Sequence, residues 1–275
     1  MTIPKTLCIA GKNRVAVQAL RLLDELDLFD LKVCPVQSDT GEDGWQPSLK
    51  KEAARRDKSL ITLEQAYRKP GLIFLSLEFD KIINVKKFDH TELLNVHFSL
   101  LPAYKGCFTS IWPIYCGEVA SGVTLHLIDH GIDTGPIIDQ ETIALDESVT
   151  AISLYELYQD CAIRLLEKNI QLILDGDFNA ERQPPTQSTY FSRKSLSYIS
   201  PEINFSATAT QISRHVRALF FPEYQTATYQ GMQVAKCVTL AERSKAKPGT
   251  LLSESGSTMT FSTIDFDVEL IKFQP

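Results

Sequence analysis

Residues 1–145 alternate short apolar runs with amphipathic stretches, and this alternation restricts the chain to few folds. The run at residues 72–77, LIFLSL, is continuously apolar, as expected of a strand buried on both faces of a sheet. Residues 6–10 form a similar run that ends at Gly11, and apolar residues at helical spacing follow it. Further strands are predicted at residues 31–36, 93–98, 123–128 and 136–144, and a charged helix at residues 45–56. Strands that alternate with helices favour an α/β domain with a mainly parallel sheet.

The second half of the chain changes in texture. Residues 150–175 repeat apolar side chains at three- and four-residue spacing, which predicts a long helix with Gly176 at its C-terminal cap. A Pro- and Ser-rich stretch at residues 183–204 follows, and then a short helix at residues 208–219. Gln230-Gly231 suits a hairpin turn between two alternating strands, 224–229 and 232–240. We therefore divide the chain into a domain of residues 1–200 and a small β-rich domain of residues 201–275.

Charge and composition exclude several classes of partner. The chain has 28 Lys and Arg against 34 Asp and Glu, which gives a net charge of −6. Duplex nucleic acid needs a basic face, so we expect no nucleic-acid partner. We expect no membrane partner either, because no apolar run approaches the ~20 residues that a spanning helix requires. The N-terminus has no secretory cleavage site, and the six cysteines include no close pair, which is typical of reduced thiols in the cytoplasm.

Three polar residues stand where strands of the predicted sheet end. Asn95 and His97 are two apart on one strand, so their side chains leave the same face. Asp133 lies in a Gly-rich loop directly after another strand. An amide can bind an oxyanion, an imidazole can exchange protons near neutral pH, and a carboxylate can orient the imidazole. For an isolated Asn-x-His, an ordinary turn at a strand end is the more frequent explanation.

These residues belong to a longer ordered set that resembles the formyltransferase family. The set comprises N-x-H-x-S-L-L-P at residues 95–102, Lys105-Gly106, Gly-Val-Thr at residues 122–124, and Asp-x-Gly-Pro at residues 133–136. The resemblance is strong over residues 70–145 and holds only in outline over residues 1–70. It implies a Rossmann-like formyltransferase domain. The family includes glycinamide ribonucleotide transformylase, methionyl-tRNA formyltransferase, formyltetrahydrofolate hydrolase and the nucleotide-sugar N-formyltransferases.

The resemblance implies a formyl transfer that uses 10-formyltetrahydrofolate and no metal. An amine of the substrate would attack the formyl carbon, Asn95 and His97 would stabilise the oxyanion, and Asp133 would help to move the proton. The family's folate pterin would lie against two segments, mainly through backbone contacts. For the segment that begins at Glu78, an ordinary amphipathic connector is the alternative interpretation. The implied cofactor-binding residues are Glu78, Phe79, Asp80, Lys81, Ile82, Asp129, His130 and Gly131.

The rest of the chain narrows the choice of the molecule that accepts the formyl group. An acidic chain with a tail of about 75 residues suits tRNA poorly. A resemblance to the formyltetrahydrofolate hydrolase would imply a regulatory domain ahead of the catalytic domain. We expect no room for such a domain before the first strand. The purine enzyme would leave the tail unexplained. The nucleotide-sugar N-formyltransferases, with their C-terminal β-rich extension, fit better, and the overall resemblance implies dTDP-4-amino-4,6-dideoxyglucose as acceptor. A hydrolase, or an idle folate- or nucleotide-binding protein, remains the alternative.

Two groups of residues are candidates for binding this substrate. The turn with Gly11, Asn13 and Arg14 opens a helix after a strand, so its backbone N–H groups could hold an anion. In the segment 208–226, Phe221 and Tyr224 are candidates for stacking on the base, and Arg214 and Arg217 for contacting the pyrophosphate. Helix packing and solvated arginines are the alternative explanation for that segment.

Two histidines are interpreted as structural. His126, Asp129 and His130 suggest a zinc site, but no matching Cys or carboxylate cluster accompanies them. His126 alternates with Thr124 along a strand, so we interpret it as a satisfied sheet residue, and His215 as a structural residue of the short helix. Enzymes of this kind are commonly dimers, so we expect a homodimer, with the hairpin at residues 224–240 as a candidate for joining the edge of another chain.

Overall fold

The computed structural model describes residues 5–89 and 91–274. Its first sheet has seven strands in the order β3-β2-β1-β4-β5-β7-β8. The pairs among β1 to β5 are parallel, and β7 runs antiparallel to β5, so the predicted, mainly parallel α/β sheet is confirmed. The strands up to β8 are β1 (Lys5–Gly11), β2 (Phe29–Pro35), β3 (Ser59–Leu60), β4 (Ile73–Leu77), β5 (Glu92–His97), β6 (Lys105–Gly106), β7 (Ala120–Leu127) and β8 (Ile137–Ala144).

Helices cover this sheet and bury its strands. All five residues of β4 are buried, as its continuous apolar run predicts. The predicted long helix is α5, and Gly176 follows it with φ of 70°. The α-helices are α1 (Asn13–Leu26), α2 (Leu49–Arg55), α3 (Leu63–Tyr67), α4 (Trp112–Cys116), α5 (Ala151–Asp175) and α6 (Ala209–Leu219).

The C-terminal part forms a separate antiparallel sheet of five strands in the order β10-β11-β14-β13-β12. One face of α6 packs on it through Ile212, Val216 and Leu219. The predicted hairpin joins β10 and β11, and both turn residues have positive φ, 49° at Gln230 and 79° at Gly231. The remaining strands are β9 (Tyr190–Phe191), β10 (Ala227–Tyr229), β11 (Met232–Thr239), β12 (Leu251–Ser255), β13 (Thr258–Phe261) and β14 (Val268–Lys272).

The outer edge of the predicted hairpin is paired within the chain. Thr228 of β10 exchanges backbone hydrogen bonds with Pro201 and Ile203. This pairing occupies the edge that the sequence suggested for joining another chain. The opposite edge of the sheet is β12, and all five of its residues are exposed.

The described residues fall into two compact units. One unit combines the chain up to residue 106 with residues 122–143 and 157–190, and it holds the mainly parallel sheet. The other combines residues 107–121 and 144–156 with the chain from residue 191, and it holds the antiparallel sheet. No helix in the described part of the chain is long and apolar enough to cross a membrane.

All six cysteines are free thiols. Four of them, Cys8, Cys34, Cys161 and Cys237, are buried. Burial raises the pKa of Cys34 to about 11 and that of Cys161 and Cys237 to about 12. These thiols are therefore protonated at neutral pH and act as apolar core residues.

Candidate active site

The structure brings together the three polar residues that the sequence singled out. Asn95 and His97 lie near the carboxyl end of β5, and Asp133 lies in the loop between β7 and β8. Asn95 Nδ2 is 3.4 Å from Asp133 Oδ1, and His97 Nδ1 is 3.5 Å from Asp133 Oδ2. An amide donor, an imidazole and a carboxylate thus meet at one point on the edge of the sheet.

The loop at residues 129–136, called the Asp133 loop below, is held by contacts from distant parts of the chain. Asp133 has a φ of 54°, and its Oδ2 accepts a hydrogen bond of 2.8 Å from Gly106 N. Gln183 Nε2 donates to the carbonyl oxygens of Asp133 and Gly135 at 2.9 and 2.7 Å. A Cβ on Gly135 would collide with the Leu127 carbonyl oxygen. Gly106 N therefore positions the carboxylate, and the Gln183 side chain holds the backbone of the loop.

The tautomer of His97 follows from its carbonyl partner. His97 Nε2 lies 2.9 Å from the Tyr104 carbonyl oxygen, which can only accept, so Nε2 carries the proton. The ring is buried, with 8% of the residue exposed. Nδ1 is then the nitrogen that can take up a proton, and it is the one that faces Asp133.

His126 completes the group, and the sequence interpretation did not place it there. It lies opposite Asn95 in the antiparallel pairing of β5 and β7. Its Nδ1 donates to the Leu127 carbonyl oxygen at 2.8 Å, so its Nε2 accepts from Asn95 Nδ2 at 3.0 Å. Burial, and then the charge of His97, lower the pKa of His126 to about 4. It is the satisfied sheet residue that we predicted, but its partner is the amide of the site.

The segment after His97 is tied to the sheet through Thr124. Thr124 Oγ1 donates to the Ser99 carbonyl oxygen at 2.6 Å and accepts from Leu101 N at 3.1 Å. Gln140 Nε2 donates to both Thr124 Oγ1 and the Leu101 carbonyl oxygen, at 2.8 and 2.9 Å. The sequence analysis named Thr124 only as a motif and strand residue and did not name Gln140, because only the folded structure brings the two side chains to this segment.

The residues implied for the cofactor lie in two segments of the same unit. Glu78 directly follows β4, has a φ of 56°, and accepts from Asn13 Nδ2 at 3.2 Å. The Phe79 ring packs on Phe74 at 6.0 Å between centroids, while the next three residues, Asp80, Lys81 and Ile82, are exposed. In the Asp133 loop, Asp129 Oδ1 accepts from Gly131 N at 3.0 Å, and His130 and Gly131 are exposed.

The turn with Gly11, Asn13 and Arg14 leads from β1 into α1, and several of its groups are bonded within its unit. A Cβ on Gly11 would collide with the Leu77 carbonyl oxygen, so only glycine fits there. Arg14 Nη1 forms an ion pair of 2.5 Å with Asp160 Oδ1. Arg14 N donates to Gln46 Oε1 at 2.9 Å.

The remaining candidates lie in the second unit. Arg217 Nη1 donates to the Val149 carbonyl oxygen at 2.8 Å, and burial lowers the pKa of this guanidinium. The Arg214 guanidinium lies against Gly117. Phe221 is buried, whereas Tyr224 is 67% exposed, and their ring centroids are 5.1 Å apart.

Metal ligation has no support among the side chains that the structure describes. No three His, Cys, Asp or Glu residues among them lie where they could hold one metal ion. The imidazole of His126, which the sequence placed in a possible zinc site, is bonded through both nitrogens to protein groups.

Comparison with known proteins identifies the family. The profile described as "Formyl transferase" matches residues 37–170, and that described as "Formyl transferase, C-terminal domain" matches residues 196–275. The chain is 34% identical to a methionyl-tRNA formyltransferase of Clostridioides difficile, over 76% of this chain and 68% of that protein.

Solved structures resemble the whole chain. The N-formyltransferase of Helicobacter canadensis, in complex with folinic acid and dTDP-3-aminofucose, is 40% identical. It matches with a TM-score of 0.90 over 98% of this chain and 100% of that one. WlaRD, a sugar 3N-formyl transferase, is 37% identical with a TM-score of 0.91, and each chain is covered in full, 100%. By both profiles and by these relatives, the chain belongs to the formyl transferase family.

Proposed function

We propose that this protein is a sugar N-formyltransferase that transfers a formyl group from 10-formyltetrahydrofolate to the amine of a dTDP-linked amino-dideoxy sugar. The convergence of Asn95, His97 and Asp133 carries this proposal, because it supplies the groups that formyl transfer to an amine requires. The likeness of the whole chain to two sugar N-formyltransferases supports the class of acceptor.

The groups at this site fit a formyl donor. When bound, 10-formyltetrahydrofolate supplies an activated formyl carbon with a carbonyl oxygen that becomes negative as the amine attacks. Asn95 Nδ2 has two hydrogens, and one is directed at His126 Nε2. The second points to Asp133 Oδ1 at 3.4 Å, a long hydrogen bond that the formyl oxygen can share when the formyl donor binds. An amide donor aimed at a developing negative charge is the arrangement that lowers such barriers.

The proton of the amine is handled by the other two residues. Nδ1 of His97 and the carboxylate of Asp133 face one another, so they can take the proton that the amine loses and return it to the leaving folate nitrogen. Gly106 N keeps Asp133 Oδ2 in place during this exchange. Asn95, His97 and Asp133 are therefore our proposed catalytic residues.

We assign the folate to the backbone of residues 78–82 and 129–131. Residues 78–82 follow β4 at the carboxyl edge of the parallel sheet, where α/β proteins bind their ligands. Residues 129–131 belong to the Asp133 loop, which carries the proposed catalytic carboxylate. For the base of the nucleotide we propose stacking on Tyr224, which is exposed, with the buried Phe221 beneath it. Arg214 remains a candidate for contacting the pyrophosphate, and Arg217 is the weaker one because its guanidinium already bonds a carbonyl oxygen.

The position of the amine is the finer part of the proposal. The sequence pattern suggested dTDP-4-amino-4,6-dideoxyglucose. The two solved neighbours near 40% identity carry names that point to 3-amino sugars, and this favours a 3-amino sugar for the chain. We further propose a catalytic domain over residues 1–200, a β-rich domain over residues 201–275, and a homodimer.

Methionyl-tRNA is the second candidate acceptor, because relatives with that activity are 29–34% identical to the chain. The chain covers about two thirds of their length, 66–68%. Its net charge of −6 disfavours a polyanion as large as tRNA. The sugar acceptor is therefore the better supported of the two.

Tetrahydrofolate release tests the proposal. The purified protein is incubated with 10-formyltetrahydrofolate alone, with a dTDP-3-amino sugar, with dTDP-4-amino-4,6-dideoxyglucose, or with methionyl-tRNA. We expect release only with an amino sugar, together with a nucleotide sugar that is heavier by one formyl group. Release without any amine would make the protein a hydrolase, release only with methionyl-tRNA would replace the sugar acceptor, and folate binding without release would make it a binding protein.

A further inference from the structure

The side chain of Glu78 occupies the position in the sheet where α/β proteins most often bind ligands. The strand order reverses between β1 and β4, which are neighbours, and this reversal opens a crevice at their carboxyl ends. Asn13 follows β1 and Glu78 follows β4, and Asn13 Nδ2 donates to Glu78 Oε2 at 3.2 Å across this crevice. Both are non-glycine residues with left-handed backbone, with φ of 63° and 56°. Such conformations concentrate at functional sites.

Two backbone donors and two side-chain donors at the start of α1 are bonded to groups of the same unit. Arg14 N and Val15 N donate to the side-chain oxygens of Gln46 and Gln159, at 2.9 and 3.2 Å. The side chains of Asn13 and Arg14 donate to the carboxylates of Glu78 and Asp160. A phosphate at this turn would have to displace these partners and would lie beside the carboxylate of Glu78, while the carboxylate of Asp160 is paired with Arg14. The turn therefore suits a ligand group that donates hydrogen bonds better than it suits an anion.

Glu78 also lies level with the proposed catalytic histidine. Leu77 of β4 pairs with Val96 of β5, and Glu78 and His97 are the residues that directly follow this last pair. Neighbouring strands are about 4.8 Å apart, so the two residues share one edge of the sheet. The amine that attacks the formyl group must reach this edge. An amino sugar brings to it N–H and O–H donors on adjacent ring carbons.

We propose that the Glu78 carboxylate binds the amino sugar itself, by accepting a hydrogen bond from the ring donors next to the reacting amine. A carboxylate has about four acceptor positions, so Glu78 can hold Asn13 and a sugar donor together. This assignment rests on the proposed sugar acceptor. Under this assignment the folate contacts only the backbone of Glu78, and the pyrophosphate does not bind at the first turn of α1.

Binding calorimetry with three ligands tests the assignment. The dissociation constants of dTDP, of the dTDP-amino sugar and of tetrahydrofolate are measured for the wild type, Glu78→Gln and Glu167→Gln. Glu167 is an exposed residue of α5 and serves as the matched control. We expect Glu78→Gln to weaken the amino sugar about ten-fold or more, because a hydrogen bond to a charged group is lost. Binding of dTDP and of tetrahydrofolate should stay unchanged. The KM of the amino sugar should rise, while the KM of the formyl donor should stay constant.

The opposite pattern would overturn the assignment. A loss of tetrahydrofolate binding with an unchanged amino sugar would make Glu78 a cofactor residue, and an equal loss for dTDP and the amino sugar would make it a nucleotide residue. If Glu78→Gln does not fold, Glu78→Asp, which keeps the charge and withdraws it by one methylene, must show the same selective loss. If the wild type binds no dTDP-amino sugar more tightly than dTDP, the proposed function fails together with this inference.

Discussion

Asn95 can serve the proposed reaction only if its amide nitrogen, and not its oxygen, faces the reacting group. His126 fixes that direction, because its Nδ1 donates to Leu127 and leaves its Nε2 as an acceptor for Asn95 Nδ2. Its low pKa, about 4, keeps the imidazole neutral at neutral pH. One uncharged ring thus determines which end of the amide is presented.

Substitution of each of the three proposed catalytic residues should lower the activity of the protein and leave its fold intact. We expect Asn95→Ala to lower kcat about 10²–10³-fold, since one oxyanion donor is removed. His97→Ala and Asp133→Ala should each lower kcat about 10²–10⁴-fold, since proton transfer is lost. The measurement is tetrahydrofolate release, with circular dichroism to check the fold. Wild-type rates in all three variants would contradict the assignment.

His126 should make the stability of the protein depend on pH. Its pKa falls from 6.5 to about 4 on folding, so the unfolded chain binds more protons between these two values. The free energy of unfolding should therefore rise from pH 4 to pH 6.5, by about 3 kcal/mol from this residue. His126→Gln should remove this contribution, which urea unfolding across that pH range measures.

The wild type is the control for this experiment. Burial also lowers the pKa of His215, but that residue is present in both proteins and its effect cancels. Parallel pH profiles for the wild type and the variant would show that His126 is not the source of the slope.

Among single residues, the sequence predicted the polar side chains at the ends of strands. It missed the side chains whose contacts depend on strand pairing or on distant parts of the chain. Asn95, His97 and Asp133 could be found because a polar residue after an apolar strand is visible locally. His126 meets Asn95 through the register of two antiparallel strands, and Gln183 meets Asp133 from 50 residues away. No local pattern encodes these two contacts.

Helices α1 and α2 are joined by an ion cluster around the buried side chain of Glu52. Its carboxylate bonds Arg55, Arg56 and Arg21, at 2.5, 2.8 and 3.0 Å. The guanidinium of Arg55, and then that of Arg21, hold the pKa of Glu52 well below its usual range. The charged carboxylate therefore stabilises the fold above the ordinary pKa of glutamate, and this stability is lost as the pH falls.

Glu52→Gln should destabilise the protein by about 2 kcal/mol at pH 7. This is less than the ~3–5 kcal/mol typical of a fully buried pair, because Arg21 and Arg55 are about half exposed. Urea unfolding measures the change, and Glu25→Gln, an exposed partner of Arg56, is the matched control. Equal stability of the two variants would mean that the cluster contributes nothing beyond a surface ion pair.

The Asp133 loop should need Gln183 for activity more than for stability. Gln183→Leu removes the donor to two loop carbonyls, so the carboxylate loses its position. We expect kcat to fall about ten-fold, the effect of a small displacement at a reacting centre. The control is Gln171→Leu on α5, where the exposed amide bonds only to Asp175 among the contacts of the described residues. A lower melting temperature with an unchanged kcat would contradict this role.

Element types followed the sequence closely, and boundaries followed it less well. The hairpin turn at Gln230-Gly231 was predicted because two left-handed positions favour such residues. The charged helix predicted at residues 45–56 is shorter, Leu49–Arg55. Its N-cap is Ser48, whose side chain accepts from Lys51 N, and residues 39–48 form a loop held by Asp39 and Asp43. Charge patterns do not reveal such loops.

Over the whole molecule, the sequence could not reveal which distant stretches share a unit. Residues 107–121 and 144–156 belong to the unit of the antiparallel sheet, although each is flanked in the chain by parts of the other unit. The mainly parallel sheet was predictable because each of its strands is a short apolar run. Membership of a unit depends on contacts across long separations, and these leave no periodic signal.

We expect the protein to be a dimer in solution. The strand β12 is the edge that the antiparallel sheet offers, with Leu251 and Leu252 both more than one third exposed. Light scattering should give twice the chain mass of 30.9 kDa. Leu252→Lys should shift the protein to the monomer by placing a charge on that edge.

The matched substitution at an exposed valine distant in sequence, Val119→Lys, should leave the dimer intact. Dissociation by both variants, or by neither, would show that β12 is not the dimer contact. A monomeric wild type would exclude the dimer itself.

The hydrogen bonds from Gln183 to the Asp133 loop also join residues that are synthesised far apart in time. Asn95, His97 and Asp133 leave the ribosome first, and Gln183 follows Asp133 by 50 residues. A nascent chain that ends between these positions carries all three polar side chains but not the amide that holds the loop carbonyls. We therefore expect the Asp133 loop to reach its final arrangement late, after α5 has been made.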